Sequence, residues 1–237
     1  MKFSAIKTVF VDADDTLWEN NIFFLQSLAW LCREGRKHGH TDQATTYVLN
    51  HQENFNITRI GYGYDSYETS LLGTINTLVA RSGRRDEHAA FVAGALRWTN
   101  FLRTHPIHWC AGVKDALPQL CERFRTIIVT KGHHSDQMGK VIRSGMKDVF
   151  HAAEVVPHKF AENYLALLKK YDLDPNETVM IGNSPRSDIN MARAAGLRTV
   201  YIPHAQTWYR ELEPIGLDAP ATIEIPTFKG LLDILEG

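Results

Sequence analysis

The sequence predicts an α/β fold, a doubly wound parallel sheet that carries an inserted all-helical domain. Short, apolar, β-branched runs recur along the chain, amphipathic helix patterns separate the later runs, and one long interval contains helix patterns almost alone. The strand-like runs are 8–11, 126–129, 155–156, 179–181 and 199–202. The helix patterns between them are 113–123, 135–144, 160–171 and 187–195. The first run stops abruptly at Asp12, as a buried parallel strand does at its carboxyl end.

The long interval from 18 to 106 predicts the helical insertion. Two stretches within it place apolar residues at three- and four-residue steps, the spacing of one helix face. They are Tyr64, Tyr67, Leu71, Ile75, Leu78 and Val79 in the first, and Phe91, Ala95, Trp98 and Leu102 in the second. We therefore expect an α/β core domain formed by residues 1–17 and 107–237, and a helical domain formed by residues 18–106.

Composition excludes several classes of protein. The 237 residues are 44 % apolar and 22 % charged with a formal net charge of −1, so the basic excess of a nucleic-acid-binding protein is absent. The apolar N-terminal run is too short for a secretory signal or a membrane span, which predicts a cytoplasmic protein without a membrane partner. Cys32, Cys110 and Cys121 lack metal or redox spacing and are expected to be free thiols. The oligomeric state has no signal in the sequence.

Polar residues follow the apolar runs at four points. Ligands of open parallel sheets bind beyond the carboxyl ends of the strands, so these points are expected to meet. The four segments are 12–18 (DADDTLW), 130–132 (TKG), Lys159 and 182–188 (GNSPRSD). Asp12, Asp14 and Asp188 would repel one another in a dry cleft unless a divalent cation lay among them. Magnesium fits best, because it prefers hard oxygen ligands and the sequence shows no cysteine or histidine set that favours zinc.

In order and in character, the four segments resemble the four motifs of the haloacid dehalogenase superfamily. The resemblance covers about residues 1–17 and 107–237, the Rossmann-like core of that family. The helical interval falls where the family inserts its first-position cap domain. The resemblance therefore implies that residues 18–106 are a cap that decides which substrate is accepted.

The resemblance also implies catalytic roles. Asp12 is the expected nucleophile that attacks phosphorus and becomes an aspartyl-phosphate, and Asp14 is the expected general acid and base. Thr130 is expected to donate a hydrogen bond to the transferring phosphoryl group. Lys159 is expected to neutralise charge on Asp12 and on the phosphoryl oxygens.

Binding roles follow from the same resemblance. The expected substrate-binding residues are Thr16, Lys131, Gly132 and Arg186, although a solvent-facing Arg186 is an equal alternative. The expected magnesium ligands are Asp12, the main-chain carbonyl of Asp14, Asp188 and Asn183. The family most often has an acid at position 183, and an amide there supplies no charge. We therefore expect weaker magnesium affinity with the site retained.

The predicted function is magnesium-dependent hydrolysis of a small-molecule phosphate monoester. True dehalogenases resemble this sequence in fold and nucleophile, but they lack an acid at the position of Asp14, because a halide leaving group needs no proton. A phosphotransferase or phosphomutase of the same fold stays open, since exclusion of water from the intermediate separates it from a hydrolase. A binding protein that has kept the fold and lost turnover is a third alternative, and Asn183 is the one feature that favours it.

Overall fold

A computed structural model describes residue 3, residues 5–216 and residues 222–236. The chain divides into two compact units, Met1–Asn21 with Ile107–Gly237, and Ile22–Pro106. We call the first the α/β unit and the second the helical unit. The predicted fold class, an α/β core with a helical insertion, is confirmed.

The α/β unit is built on a parallel sheet. Within the described residues its strands are β1 (Thr8–Val11), β2 (Arg125–Lys131), β3 (Ala152–Val156), β4 (Thr178–Gly182), β5 (Arg198–Tyr201) and β6 (Thr222–Glu224). All of them pair in parallel, in the order β3-β2-β1-β4-β5-β6. The chain adds strands to both sides of β1, so the carboxyl end of β1 is a topological switch point where ligands bind in such sheets.

The helices of the described residues follow the predicted alternation. They are α1 (Asn21–Lys37), α2 (Asp42–Ile60), α3 (Tyr64–Ser82), α4 (His88–Thr104), α5 (Val113–Arg123), α6 (His134–Arg143), α7 (Ala161–Tyr171), α8 (Met191–Ala194) and α9 (Leu231–Glu236). The first four form the helical unit, except that the first residue of α1 belongs to the α/β unit. No helix in the described part of the chain is both long and apolar enough to cross a membrane.

Both faces of the central strands β1, β2 and β4 are buried, which explains why these strands are continuous apolar runs. Alternate side chains point to opposite faces. One face contributes Val9, Val11, Ile128, Val179 and Ile181 to the core, and the other contributes Phe10, Ile127, Val129 and Met180. Val11 pairs with Ile128 on one side and with Ile181 on the other. This register aligns the residues that follow β1, β2 and β4 at one edge of the sheet.

The helical unit has its own core, centred on α3. All six apolar residues of the first predicted stripe are buried there, as expected from their spacing. On α4, Phe91, Ala95 and Leu102 are buried, whereas Trp98 is only half-buried. The apolar periodicity therefore predicted the inward faces of both helices with one exception.

Three features differ from the sequence-based expectations. The boundary between the units falls after Asn21 rather than after residue 17, because Trp18 is buried in the core of the α/β unit and bridges Trp109. Strand β6 was not predicted, since its three residues contain a single apolar side chain. The helix predicted over 187–195 begins as a π turn at Pro185–Asn190 and becomes α-helical at Met191.

The three cysteines are free thiols, as predicted.

Candidate active site

The carboxyl end of β1 places Asp12 at the centre of a buried polar cluster. Asp12 is 6 % exposed. Lys159, in the loop between β3 and α7, donates from Nζ to Oδ1 of Asp12 and, at 2.7 Å, to Oδ1 of Asp188. The hydroxyl of Thr16 lies 3.2 Å from the other oxygen of Asp12. Side chains from three of the four polar segments therefore meet in one cluster.

The two carboxylates of the cluster share a single ammonium group. Burial and the neighbouring Asp188 raise the pKa of Asp12 to about 7, even though Lys159 opposes the shift. Burial also raises the pKa of Asp188 against the opposing effect of Lys159. Burial alone would lower the pKa of Lys159, but the two carboxylates raise it above its ordinary value, so the lysine is charged.

This donor set fits a hard divalent cation. With both acids ionised, two negative charges face one positive charge, so the cluster keeps a net charge of −1 inside the protein. Oxygen ligands and uncompensated negative charge are what magnesium requires. Asp188 reaches the cluster because position 182 has no side chain, since a Cβ at Gly182 would overlap the Asp188 carboxylate. The main-chain N–H of Ser184 donates to the other Asp188 oxygen at 3.0 Å and fixes its orientation.

The raised pKa of Asp12 makes the stability of the protein depend on pH. Its folded pKa of about 7 lies above the ordinary aspartate value of 3.8, so the folded protein binds this proton more tightly than the unfolded chain. The resulting stabilisation is present at low pH and is lost as the pH rises from 3.8 to about 7. Each unit of pKa difference corresponds to about 1.4 kcal/mol. We expect the free energy of unfolding without divalent cations to fall across this window, and to fall less steeply in the Asp12→Asn variant.

Urea unfolding at closely spaced pH values measures this dependence. Saturating magnesium is expected to flatten the curve of the wild-type protein, because an ion held by the ionised carboxylates would stabilise the folded state at neutral pH. Identical pH curves for the wild type and the Asp12→Asn variant would contradict the raised pKa of Asp12.

Asp14 has a separate set of partners. Its Oδ1 accepts from Nε1 of Trp18 at 2.9 Å and its Oδ2 accepts from Nε2 of Gln137 at 3.0 Å. Nζ of Lys140 lies 2.7 Å and 2.6 Å from the two carboxylate oxygens. Burial would raise the pKa of Asp14, but Lys140, together with the hydrogen bonds from Gln137 and Trp18, lowers the pKa below its ordinary value. Asp14 is therefore ionised at neutral pH.

The second polar segment connects to a residue near the C-terminus. Thr130, in β2, is buried, and the N–H of Gly132 donates to the carbonyl of Val156 at 3.1 Å. The side chain of Lys131 pairs with Glu211, which also accepts hydrogen bonds from the hydroxyls of Ser184 and Ser187. Burial would raise the pKa of Glu211, but Lys131 and the two serines lower it to about 2. Glu211 thus neutralises Lys131 and joins the second segment to the fourth.

Asn183 ties the first segment to the fourth. Its N–H donates to the Thr16 hydroxyl at 3.0 Å, and its Nδ2 donates to the Thr207 hydroxyl at 2.9 Å. Its Oδ1 lies 3.1 Å from the Thr16 hydroxyl, so its oxygen faces the first segment. Arg186 is exposed, and its guanidinium donates to the main-chain carbonyl of Arg210 at 3.4 Å. The structure does not bring Arg186 into the Asp12 cluster.

Comparison with known proteins identifies the family. The haloacid dehalogenase-like hydrolase family matches residues 6–196, a range that includes all four polar segments. The chain belongs to this hydrolase family. The resemblance recognised in the sequence is thereby confirmed, and the protein is an enzyme of the hydrolase class.

Relatives of known name are distant but cover most of this hydrolase. The glyceraldehyde 3-phosphate phosphatase of Methanopyrus kandleri is 25 % identical over 240 residues, which cover 97 % of each chain. The Pyrococcus furiosus protein of the same name is 27 % identical over 150 residues, which cover 61 % of each chain. A solved haloacid dehalogenase-like family hydrolase from Xanthomonas campestris has a TM-score of 0.79 and 28 % identity, and the match covers 98 % of this chain and 92 % of that one.

Sequence reasoning missed several residues of the hydrolase site. Gln137 and Lys140 lie on the buried face of α6 together with Val141, and Glu211 lies in a 3-10 turn at Tyr209–Glu211, beyond the last predicted strand. For α6 a signal existed, because polar residues at positions 137 and 140 share a helix face with an apolar residue at 141. For Glu211 and Thr207 the sequence offered no periodic pattern, and only the folded chain brings them to the fourth segment.

A mixed ligand set near the first segment was also missed. The ligand atoms of Glu19, Cys110 and His204 lie within 4.8 Å of one another, although the sequence showed no set that would favour zinc. Nε2 of His204 lies 3.2 Å from a Glu19 oxygen, and Nδ1 accepts from the N–H of Gln206 at 3.3 Å.

Proposed function

We propose that this hydrolase is a magnesium-dependent phosphatase that hydrolyses small-molecule phosphate monoesters through an aspartyl-phosphate on Asp12. The observation that carries the proposal is the position of Asp12, whose buried carboxylate lies at the switch point of the sheet beside Lys159 and Asp188. The names of the relatives from Methanopyrus kandleri and Pyrococcus furiosus support a phosphate ester as substrate. Cytoplasmic location, without a nucleic-acid or membrane partner, is part of the same proposal.

In the first step, an oxygen of Asp12 attacks phosphorus and the bond between phosphorus and the leaving oxygen breaks. The leaving alkoxide takes a proton from Asp14, and the phosphoryl group stays on Asp12. Asp14 is ionised in the free protein, so it must gain this proton when the substrate binds. The negative charge of the bound phosphate favours that uptake, because a like charge beside a carboxylate raises its pKa.

In the second step, water attacks the same phosphorus atom. Asp14, now ionised again, removes a proton from the water, inorganic phosphate leaves and the Asp12 carboxylate is regenerated. Lys159 carries the positive charge that offsets charge on the phosphoryl oxygens in both steps. The hydroxyl of Thr130 and the main-chain N–H group of Lys131 are the proposed donors to those oxygens, whereas the N–H of Gly132 donates to the carbonyl of Val156 instead.

The proposed magnesium ligands are Asp12, Asp188, the main-chain carbonyl of Asp14 and the amide oxygen of Asn183. The ion supplies positive charge that lets a dianionic phosphate approach two buried carboxylates. Asn183 contributes an oxygen but no charge, and its ties to Thr16 and Thr207 hold it in place. We propose that its amide lowers affinity for the ion without removing the site.

Covalent labelling tests the proposal. Brief reaction with radiolabelled acetyl phosphate, 4-nitrophenyl phosphate or glyceraldehyde 3-phosphate, followed by acid quenching, is expected to label the protein at Asp12 when magnesium is present. The label is expected to be lost with hydroxylamine, which cleaves acyl phosphates, and to be absent with excess chelator. Phosphate release without any labelling of Asp12, or labelling that survives the chelator, would refute the proposed mechanism.

A further inference from the structure

Several buried side chains donate hydrogen bonds to the carboxylate of Asp14. Its carboxylate accepts from three side chains, and Lys140 also donates to Oδ1 of Asn20 at 2.9 Å. Lys140 is 2 % exposed and Gln137 is 6 % exposed. A single buried lysine thus holds two residues of the segment that follows β1, and a glutamine one helical turn away supports the same carboxylate.

Stability is a weak explanation for this arrangement. Removing a lysine and a carboxylate from water is expensive, and a buried ion pair usually contributes no more to stability than apolar side chains of similar size would. An apolar pair on α6 would continue the core that Val141 already joins. We therefore expect these contacts to serve the orientation of the Asp14 carboxylate rather than the stability of the protein.

We infer that Lys140 and Gln137 are positioning residues, which fix the carboxylate of Asp14 for proton transfer to the leaving group and from water. This inference rests on the function proposed above. An unrestrained aspartate side chain samples several rotamers, whereas proton transfer requires one that places an oxygen within hydrogen-bond reach of the reacting group. Donors on both carboxylate oxygens select one orientation before the substrate binds.

The inference predicts a dependence on the leaving group. Attack by Asp12 does not involve Lys140, which contacts Asp14 instead. A leaving group that departs easily needs little protonation, so 2,4-dinitrophenyl phosphate is expected to tolerate the Lys140→Met change. Phenyl phosphate has a poorer leaving group, and its kcat/KM is expected to fall by about 100-fold, since general acid catalysis contributes this much or more. Gln137→Met is expected to cause a smaller loss with the same substrate preference.

Asp14→Asn and the double variant Asp14→Asn/Lys140→Met separate positioning from a structural role. If Lys140 acts through Asp14, the double variant is no less active than Asp14→Asn alone, because the group to be positioned is already absent. Lys147→Met changes an exposed lysine just beyond α6 and is the matched control, expected to match the wild type on every substrate.

The outcomes are distinguishable. Equal losses on both aryl phosphates, or losses from Asp14→Asn and Lys140→Met that multiply, would overturn the positioning role while leaving the proposed function intact. If the wild-type protein is never labelled on Asp12, that result refutes the proposed function instead. If Lys140→Met unfolds, as judged by its thermal midpoint, the comparison of Gln137→Met with the wild type decides the question on the same substrates.

Discussion

The Asp12→Asn variant is expected to lose phosphatase activity by on the order of 10⁴-fold or more, because the proposed mechanism has no other nucleophile. Asparagine has the same shape as aspartate but cannot form the acyl phosphate under these conditions. Steady-state phosphate release from 4-nitrophenyl phosphate with saturating magnesium measures the loss. Asp148→Asn alters an exposed aspartate and is the matched control, expected to keep full activity.

The same substitution is expected to leave the protein at least as stable as the wild type when no divalent cation is present. It removes one of two buried carboxylates that share the Lys159 ammonium, so Lys159 and Asp188 remain as a neutral pair. Inactivity combined with an equal or higher thermal midpoint therefore identifies a chemical role for Asp12. A folded Asp12→Asn protein that keeps more than a small fraction of wild-type turnover would contradict the proposed nucleophile.

The fold could be predicted from the sequence because its strands and its helices each leave a simple apolar pattern. Buried parallel strands are apolar on both faces, so β1, β2 and β4 are short continuous runs that end at polar residues. The inward stripe of α3 follows from helical geometry in the same way. Strand β6, with a single isoleucine, carries neither signal, and its pairing with β5 is set by the rest of the sheet.

The central part of the candidate site was accessible for a related reason. Strand ends in a parallel sheet converge, so Asp12, Lys159 and Asp188 could be placed together from their positions along the chain. Side chains that arrive from a helix face or a distant loop obey no such rule. Lys140 reaches Asp14 from α6, and Glu211 reaches Lys131 from a 3-10 turn at Tyr209–Glu211. Three-dimensional proximity decides which charged side chains form a pair. The pattern of residues along the sequence does not encode these pairings.

The expected role of Lys131 illustrates this point. In the sequence, the resemblance to the family made Lys131 a candidate substrate-binding residue. In the folded protein its ammonium pairs with Glu211, and this pairing is the main cause of the low pKa of Glu211. A substrate contact by Lys131 stays a prediction, and it would have to compete with this carboxylate.

Lys159→Met is expected to destabilise the magnesium-free protein by about 3–5 kcal/mol, the usual effect of removing one partner from a buried ion pair. Methionine fills a similar volume, so the effect comes from charge rather than from a cavity. Without the ammonium group, the buried carboxylates of Asp12 and Asp188 repel each other with no compensating charge. Urea unfolding in the presence of a chelator measures the loss.

Magnesium separates the two roles of Lys159. The ion is expected to restore much of the lost stability, since the proposed site holds it on the same two carboxylates, where it would replace the missing positive charge. Activity is expected to stay about 10³-fold below the wild type even with saturating magnesium, because charge on the transferring phosphoryl group lacks its ammonium partner. Lys147→Met controls for loss of a lysine in general. Recovery of activity together with stability would show that Lys159 serves only to balance the carboxylates, whereas recovery of stability alone would assign it a part in the chemistry.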